Sequence, residues 1–456
     1  MTLPHPVQSV PPWPLADGHG FLAIDTATRR DTAQYIAAAL EQDIVATWFR
    51  HGVDRERGGF VTDLDRRWRP RGPQHRMLEF QARQTRSAAR LAMAFPSQPQ
   101  WREHALHGFR FLRDVMWDRE QGGWYWLLDR SGGPLADGSK HSHGTAYAIG
   151  ACFDVYRATG HTAALELALE GFRWLDDSLH DDAFGGYHGW ARRDGTPVLS
   201  AEDSPDGRAT VDPLGHGVGH KDINVTSDIF EMLADSLEYL PEQRGLPRLR
   251  ELRDCITRMI TPDGGLQYAA YPNWVPVPGP ERYGYHFLTA FRLVRAAPLL
   301  GTPMSDALDQ AHVLATHAIE RGWLPGGGFA YGGPAAPPDA LEGTSLVVRS
   351  RQWWVQLEAL KVLLLLAVHG HPANDTFTSR IEDHIAFIER ECRDHRFGGW
   401  YQDATGDHPL LERLAVAIGL AKRAKGGVWK DASHETDTYL TILRMLAGLS
   451  LDAPLD

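Results

Sequence analysis

The stretch Gly122-Gly123-Trp124 is one of six copies of a short pattern, a glycine pair followed by an apolar or aromatic residue. The other copies, in chain order, are Gly58-Gly59-Phe60, Gly185-Gly186-Tyr187, Gly264-Gly265-Leu266, Gly327-Gly328-Phe329 and Gly398-Gly399-Trp400. Successive copies lie 64, 63, 79, 63 and 71 residues apart. A pattern that returns at a nearly constant spacing indicates repeated supersecondary units rather than independent domains.

A helical pattern precedes each glycine pair and a second one follows it. The preceding segments are amphipathic and are residues 31–50, 100–117, 163–179, 244–260, 305–320 and 377–393. The following segments are more apolar on all sides and are residues 76–95, 141–158, 220–239, 282–298, 350–369 and 432–449. Two kinds of helix in alternation predict an all-α fold, an (α/α)6 barrel of six helical hairpins with the apolar set inside. The glycine pair would form a tight turn or short hairpin between outer and inner helix, because glycine adopts positive φ at little cost.

The domain organisation follows from the repeats. A length of 456 residues alone suggests several domains. Six units closing one ring instead predict a single barrel domain over residues 30–456, preceded by a Pro-rich tail over residues 1–29. An open helical solenoid is the alternative, but it would need a polar cap at each end, and the sequence shows none.

Composition excludes several classes of protein. The formal net charge of −11 does not favour a nucleic-acid partner, because such proteins usually carry a basic surplus. The strongest apolar run, residues 359–368, still contains Lys361, so no membrane partner is expected. Cys152, Cys255 and Cys392 stand far apart and predict no disulfide framework. With no signal-peptide pattern at the N-terminus, we expect a cytoplasmic protein, either monomer or homodimer.

Polar and aromatic residues cluster where the inner helices begin. They include Arg83, His141, His143, Asn224, Asp228, Glu231, Tyr283, Tyr285, His286, Arg351, Trp353, Trp354, Gln356, Glu358, Trp429, His434 and Glu435. Aromatic rings stack on sugar rings, while Arg, Asn and carboxylates hydrogen-bond to hydroxyls, so this rim suits a small carbohydrate. His434, at a helix start after a Trp, is the best single candidate for chemistry. Neighbouring helical residues point about 100° apart, which predicts that only one of Trp353 and Trp354 faces the cavity.

Three segments carry a resemblance to a known family. They are residues 81–83 (Gln-Ala-Arg), residues 352–358 (Gln-Trp-Trp-Val-Gln-Leu-Glu) and residues 429–434 (Trp-Lys-Asp-Ala-Ser-His). Over residues 30–450 the chain resembles the N-acylglucosamine 2-epimerase superfamily, which includes cellobiose 2-epimerases and mannose isomerases. The resemblance implies an (α/α)6 barrel and cofactor-free chemistry at C1 and C2 of an open-chain sugar, through a cis-enediolate.

The resemblance also implies residue roles. His434 corresponds to the C-terminal catalytic histidine, and Arg83 to the arginine that holds the reacting oxygens. Glu358 corresponds to the acidic residue of its motif. The remaining candidates would bind substrate, and they are His143, Asn224, Asp228, Glu231, Trp353, Trp354 and Trp429.

Two helices depart from the family pattern. The third inner helix keeps Asn224 and Glu231 but lacks both family histidines between them. In the fourth, Tyr285 stands where the family has its other catalytic histidine, and only a shift of one residue would let His286 serve. Epimerisation at C2 needs proton transfer on two faces, whereas aldose–ketose isomerisation needs one base. The sequence therefore favours isomerisation over 2-epimerisation.

Two other functions stay open. One is a glycoside hydrolase or lyase on the same barrel, with Asp228, Glu231 and Glu358 as its carboxylates. The other is a sugar-binding protein without catalysis. No metal or nucleotide site is predicted, because the histidines show no ligand spacing and no phosphate loop precedes a helix. Residues 191–219, 263–283 and 322–349 are expected to cover the mouth of the barrel.

Overall fold

The computed structural model describes residues 26–333, 349–369, 375–404, 414, 424–450 and 453–455. Most of the predicted N-terminal tail, residues 1–25, lies outside the described residues, as does much of the predicted mouth segment 322–349. Among the described residues, no helix is both long and apolar enough to cross a lipid bilayer.

Within these ranges, two sets of six long helices alternate along the chain. The outer helices are α1 (Thr26–Leu40), α4 (Gln100–Phe111), α6 (Thr162–Leu179), α8 (Gly245–Arg258), α10 (Met304–Gly322) and α12 (Asp375–Phe387). The inner helices are α3 (Leu78–Ala94), α5 (Ser142–Thr159), α7 (Ile223–Ser236), α9 (Tyr283–Leu300), α11 (Trp353–Val368) and α13 (Ser433–Ala447). A short helix, α2 (Trp48–His51), follows α1, and α1, α4 and α12 each end in a π-helical turn. The predicted helices are all present.

The inner helices form a closed ring. Each packs against the next along the chain, and α13 packs back against α3, while the first outer helix, α1, packs against α13. The fold is therefore the (α/α)6 barrel that the repeats predicted, and not an open solenoid. Inner helices such as α11 are buried on nearly all sides because the outer ring covers them.

Short antiparallel strands link adjacent loops at the end of the barrel where the inner helices begin. The strands are β1 (Arg76–Met77) with β2 (Leu127–Leu128), β3 (Lys140–His141) with β4 (Trp190–Ala191), and β5 (Lys221–Asp222), β6 (Ala269–Ala270) and β7 (Pro276–Val277) in one sheet. In the first pair Arg76 lies opposite Leu128, and in the second Lys140 lies opposite Ala191. Each pair joins the loop of one unit to the start of an inner helix in its neighbour, and so holds that end of the ring together.

The glycine pairs lie where neighbouring units touch. Gly122 and Gly123 occupy the tip of a hairpin closed by a bridge between Trp117 and Trp124, and both have φ of +69°. A Cβ on Gly123 would lie 2.7 Å from the ring of Trp174, which belongs to the next outer helix. The short hairpin was predicted, but the packing explains why the position needs glycine, since a side chain would displace that ring.

The last glycine pair closes the ring. A Cβ on Gly399 would lie 2.6 Å from Trp68, a residue of the first unit, and Trp68 Nε1 donates a hydrogen bond to the carbonyl of Phe397 at 2.9 Å. The repeated motif is therefore a contact surface between consecutive units, and its sixth copy joins the end of the chain to its beginning.

Candidate active site

A cavity of about 490 Å³ opens at the end of the barrel where the inner helices begin. The predicted residues that line it are Arg83, His143, Asn224, Asp228, Tyr285, Trp353, Trp354, Trp429 and His434. Glu231 and Glu358 lie below it, on a smaller space of about 50 Å³ that Arg83 and His434 also line. The ring of helix starts therefore brings together side chains that the sequence separates by some 350 residues.

His434 lies at the start of α13. One of its ring nitrogens is hydrogen-bonded to Glu358, and the side chain lines the cavity. Asp431 accepts a hydrogen bond from the backbone N–H of Ser433 at 2.7 Å, which places this first turn. His434 Nδ1 then lies 2.8 Å from Glu358 Oε1, and its side chain is 16% exposed. Because Nδ1–H donates to a carboxylate, Nε2 is the nitrogen that carries a lone pair toward substrate.

Glu358 is charged in this environment. Burial pushes the pKa of Glu358 upward, but the Lys361 ammonium and the His434 ring outweigh burial and hold that pKa below its usual value. Lys361 Nζ lies 2.8 Å from Glu358 Oε2, so each oxygen of the carboxylate has its own partner. A buried, fixed carboxylate of this kind orients the imidazole and stabilises the imidazolium that forms when the ring takes a proton.

Both tryptophans of the predicted pair touch the cavity, which corrects the expectation that one of them would be core. The ring of Trp354 lies 5.8 Å from that of His434 and 5.2 Å from that of Tyr285, and the ring of Trp353 lies 6.1 Å from His434. The two are the first residues of α11, at the rim, where the cavity surrounds the helix end. Trp429, 37% exposed, forms a third aromatic wall.

Arg83 supplies a positive charge beside the base. It comes from the first turns of α3, lies over the ring of Tyr147 at 4.1 Å, and faces Asp431 at 3.7 Å. Its Nε is buried and has no hydrogen-bond partner among the described residues. A guanidinium on the cavity wall suits an oxyanion that develops on the substrate.

His143 lies between two carboxylates and is not free to act as a base. Its Nδ1 is 3.1 Å from Glu79 Oε1 and its Nε2 is 2.7 Å from Asp228 Oδ2. Burial lowers the pKa of His143, but Asp228 and Glu79 overcome this and raise it above its ordinary value. His143 therefore lines the cavity as a cation.

The hydrolase alternative would use the carboxylates of Asp228, Glu231 and Glu358, and each of them is paired with a basic side chain. Arg292 bonds to Asp228 and, at 2.8 Å, to Glu231, while Arg86 lies 3.1 Å from Glu231. Despite burial, Arg292 and His143 lower the pKa of Asp228 to about 2, and Arg292 and Arg86 hold the pKa of Glu231 well below its ordinary value. A glycosidase acid must be protonated at working pH, which requires a raised pKa. The site does not supply such an acid among these residues.

Tyr285 and His286 point to different places, and His286 is not in the site. Tyr285 lines the cavity, where burial raises the pKa of its phenol well above the usual value. His286, fully buried, accepts a hydrogen bond from the backbone N–H of Leu266 at 3.1 Å and stacks on His317. Burial lowers the pKa of His286 to about 3, so the ring is neutral. The shift of one residue that would have let His286 serve does not occur, because one residue along a helix turns a side chain by about 100°.

Several cavity residues were not identified as site residues from the sequence. Tyr147 and Leu288 lie on the inner helices α5 and α9. The others come from loops and from the residues next to strands and helix starts, and they are Pro213, Leu214, Gly215, His216, Tyr268, Arg282, Tyr331, Gln352 and Gln402. The predicted mouth segments contain 213–216, Tyr268, Arg282 and Tyr331, so that expectation is confirmed for the described residues. No sequence pattern marks Gln402, which reaches the cavity only because the ring is closed.

His216 is a third histidine on the described cavity wall, and it too is charged. Its Nδ1 lies 3.0 Å from Asp222 Oδ2 and its Nε2 lies 2.8 Å from the hydroxyl of Tyr268. Burial opposes protonation, but Asp222 and Asp212 raise the pKa of His216 to about 12. Of the three histidines that line the described cavity, His434 is the one whose second ring nitrogen has no acceptor within hydrogen-bond distance among the described residues.

One group of side chains in the described residues has metal-like donors, away from the cavity. The ligand atoms of Glu281, His286 and His317 lie within 4.8 Å of one another. His286 Nε2 already accepts the Leu266 N–H, and His317 Nε2 lies 2.8 Å from Glu281 Oε2. These bonds occupy the lone pairs that a metal would need, so the group is explained as a hydrogen-bonded core cluster.

Comparison with known proteins identifies the family that this chain resembles. The family model for N-acylglucosamine 2-epimerase (GlcNAc 2-epimerase) matches residues 59–198 and 284–417. A protein named cellobiose 2-epimerase from Ruminococcus albus is 26% identical over 314 residues, covering 67% of this chain and 74% of that protein.

Solved structures share the fold. The cellobiose 2-epimerase of Spirochaeta thermophila DSM 6192 superposes with a TM-score of 0.76 at 24% identity, over 93% of this chain and 98% of that one. A D-mannose isomerase superposes with a TM-score of 0.72 at 19% identity, over 90% and 97%.

The barrel, its cavity and the family match together define an enzyme of the sugar epimerase and isomerase class. The chain belongs to the N-acylglucosamine 2-epimerase family. The alternative of a sugar-binding protein without catalysis is therefore wrong, and the substrate class is carbohydrate.

Proposed function

We propose that this enzyme interconverts an aldose and a ketose at C1 and C2 of a free sugar, with His434 as the single shuttling base. One observation carries the proposal. Among the described histidines of the cavity, His434 alone has an acceptor at just one ring nitrogen, whereas His143 and His216 each have an acceptor oxygen within 3.1 Å of both ring nitrogens.

The reaction would proceed on one face of the open-chain sugar. His434 Nε2 takes the proton from C2, and the electron pair forms the C1–C2 double bond of an enediolate while negative charge develops on O1. Arg83 offers its guanidinium to that oxygen. The proton of the 2-hydroxyl passes to O1, His434 returns its proton to C1, and the C2 carbonyl of the ketose results.

The Glu358 carboxylate supports both halves of the shuttle. It stabilises the imidazolium formed in the first step and holds the ring in place while the proton is returned to the neighbouring carbon. Trp353, Trp354 and Trp429 supply aromatic faces for the sugar. Two observations on the other described cavity residues argue against a second base. Burial raises the pKa of the Tyr285 phenol well above its usual value, and His143 and His216 each have an acceptor within 3.1 Å of both ring nitrogens.

Epimerisation at C2 is the competing reaction, because the relatives are named cellobiose 2-epimerase. Incubation in D2O with D-mannose, D-glucose, D-fructose, N-acetyl-D-mannosamine and cellobiose, followed by NMR, separates the two. Isomerisation gives a ketose with deuterium at one C1 position. An aldose epimer labelled at C2, formed without any ketose, would contradict the proposal. Release of glucose from cellobiose would indicate hydrolysis.

A further inference from the structure

Arg282 differs from every other cation that lines the described cavity. Arg83 faces Asp431, His143 lies between Glu79 and Asp228, and His216 lies beside Asp222. Among the described residues no carboxylate pairs with Arg282. Its guanidinium carbon lies 4.2 Å over the ring of Tyr268 and 5.0 Å over that of Tyr331, and one nitrogen donates to the Tyr331 hydroxyl.

The guanidinium also has an unused donor. Arg282 Nε is buried and makes no hydrogen bond within the described part of the chain. Leaving a half-buried charge without a counter-charge is costly, and a buried donor without an acceptor adds to that cost. A ligand that brings negative charge and acceptor oxygens to this point would offset both.

The carboxylates of the described cavity wall also favour an anionic ligand. Asp228 is the one carboxylate among the described residues that line the cavity, and Arg292 and His143 already occupy its two oxygens. The described wall therefore has no free negative charge to repel an anion. The planar, fork-like guanidinium of arginine is the side chain best suited to bind a carboxylate or phosphate.

Arg282 lies at the far end of the aromatic wall from the base. The ring of Trp354 contacts that of His434 at 5.8 Å and that of Tyr331 at 6.1 Å, and Arg282 lies over Tyr331. The rings of Trp354 and Tyr331 thus lie between His434 and the Arg282 guanidinium, which pairs with no carboxylate in the described part of the chain. A sugar with its C1–C2 end at His434 and its tail along this wall would extend toward Arg282.

We infer that the substrate carries an anionic group, a carboxylate or a phosphate, at the end remote from C1, and that Arg282 binds this group. The inference rests on the proposed function for the placement of C1 and C2 at His434, whereas the anion site itself rests on Arg282, Tyr268 and Tyr331. Neutral sugars would bind the same aromatic wall without using the guanidinium.

Binding of open-chain polyols that cannot react tests the site apart from catalysis. D-sorbitol is the neutral probe, D-gluconate the carboxylate probe and D-sorbitol 6-phosphate the phosphate probe, each titrated by calorimetry into the full chain. A charge-assisted hydrogen-bond pair predicts roughly 10- to 100-fold tighter binding of at least one anionic probe than of sorbitol. Which anionic probe binds more tightly identifies the source of the charge.

Two variants assign the preference to Arg282. In Arg282→Gln the ratio of anionic to neutral affinity should fall to about unity, and in Arg282→Lys it should be partly restored, because the charge returns without the fork. Circular dichroism checks that both variants fold. Equal binding of all three probes to the wild type, or a preference that Arg282→Gln leaves in place, would overturn the inference.

Turnover separates this inference from the proposed function. With D-glucuronate, D-glucose 6-phosphate and D-glucose as substrates in D2O, the inference predicts a higher kcat/KM for an anionic sugar, the difference residing in KM. Ketose formation from the neutral sugar alone would uphold the proposed function and overturn the inference. Tight binding of anionic polyols, without deuterium exchange into any of the sugars, would uphold the inference and contradict the proposed function.

Discussion

Lys361 and His434 share one carboxylate: Lys361 Nζ lies 2.8 Å from Glu358 Oε2, while Glu358 Oε1 accepts the hydrogen bond of His434. Lys361 and Glu358 are one helical turn apart on α11, so their pairing is local, and the pair meets His434 only through the closure of the ring. Lys361 also lies 2.7 Å from Asp437 of α13. His434 is thus connected to a buried ion network that joins two inner helices.

Replacing His434 by Asn should remove the base and keep the hydrogen bond to Glu358. We expect kcat for deuterium incorporation to fall by about 100-fold or more, which is the usual contribution of a general base. His395→Gln is the matched control, because the His395 side chain is 60% exposed. An activity of His434→Asn equal to that of His395→Gln would contradict the assignment.

Lys361 should act as a positioning residue. Lys361→Met leaves the Glu358 and Asp437 carboxylates buried without this cation, so we expect a lower kcat with a smaller change in KM, and a loss of stability of about 3–5 kcal/mol. Lys361→Arg keeps the charge and should recover part of kcat. Steady-state kinetics and urea unfolding measure the two effects separately, and a purely structural role would leave kcat per folded molecule unchanged in both variants.

Tyr285 should matter less than His434. Burial holds the pKa of its phenol well above the usual value, so the phenolate is too scarce at neutral pH to serve as a base. We expect Tyr285→Phe to reduce kcat/KM by less than about tenfold, the range of one lost neutral hydrogen bond. A loss as large as that of His434→Asn would make Tyr285 an acid–base group and favour epimerisation.

The glycine pairs offer a clean test of how the units join. Gly123 and Gly160 have nearly equal φ, +69° and +71°, but a Cβ would meet Trp174 at 2.7 Å on the first and nothing within 4 Å on the second. Gly160→Ala therefore carries only the cost of positive φ, about 1 kcal/mol, whereas Gly123→Ala adds overpacking of about 1–3 kcal/mol. Equal unfolding free energies for the two variants would contradict the role given to the motif.

Acid should weaken the ion pair at Asp228. The folded-state pKa of Asp228 is about 2, below the ordinary value, because Arg292 and His143 outweigh burial. A lowered pKa stabilises the fold above the unfolded-state value of about 4, and this stability is lost as pH falls from about 4 toward 2. Urea unfolding at pH 6 and pH 3 should show a smaller pH dependence for Asp228→Asn than for the wild type.

The helices, the barrel and the candidate site could be predicted from local patterns of residues in the sequence. The helical periods and the spacing of the glycine pairs predicted every long helix and the closed barrel, because an inner ring buries the wholly apolar helices and the sequence shows no polar cap for an open solenoid. The aromatic, Arg, Asn and carboxylate residues at the helix starts predicted a sugar site, and His434 was the best single candidate for chemistry. These inferences depend on neighbours in sequence, where spacing determines which face of a helix a side chain occupies.

The orientation of individual side chains and their charge partners depend on which units of the barrel contact one another. The sequence placed Tyr285 and His286 side by side, but the packing put the first in the cavity and the second against Leu266 and His317. Trp353 and Trp354 both reach the cavity because it surrounds the end of their helix. Among the described residues, Arg282 meets the rings of Tyr268 and Tyr331 and no carboxylate. Charge pairing and side-chain exposure depend on residues far away in the chain, so only the tertiary structure decided which acceptors surround each histidine of the cavity.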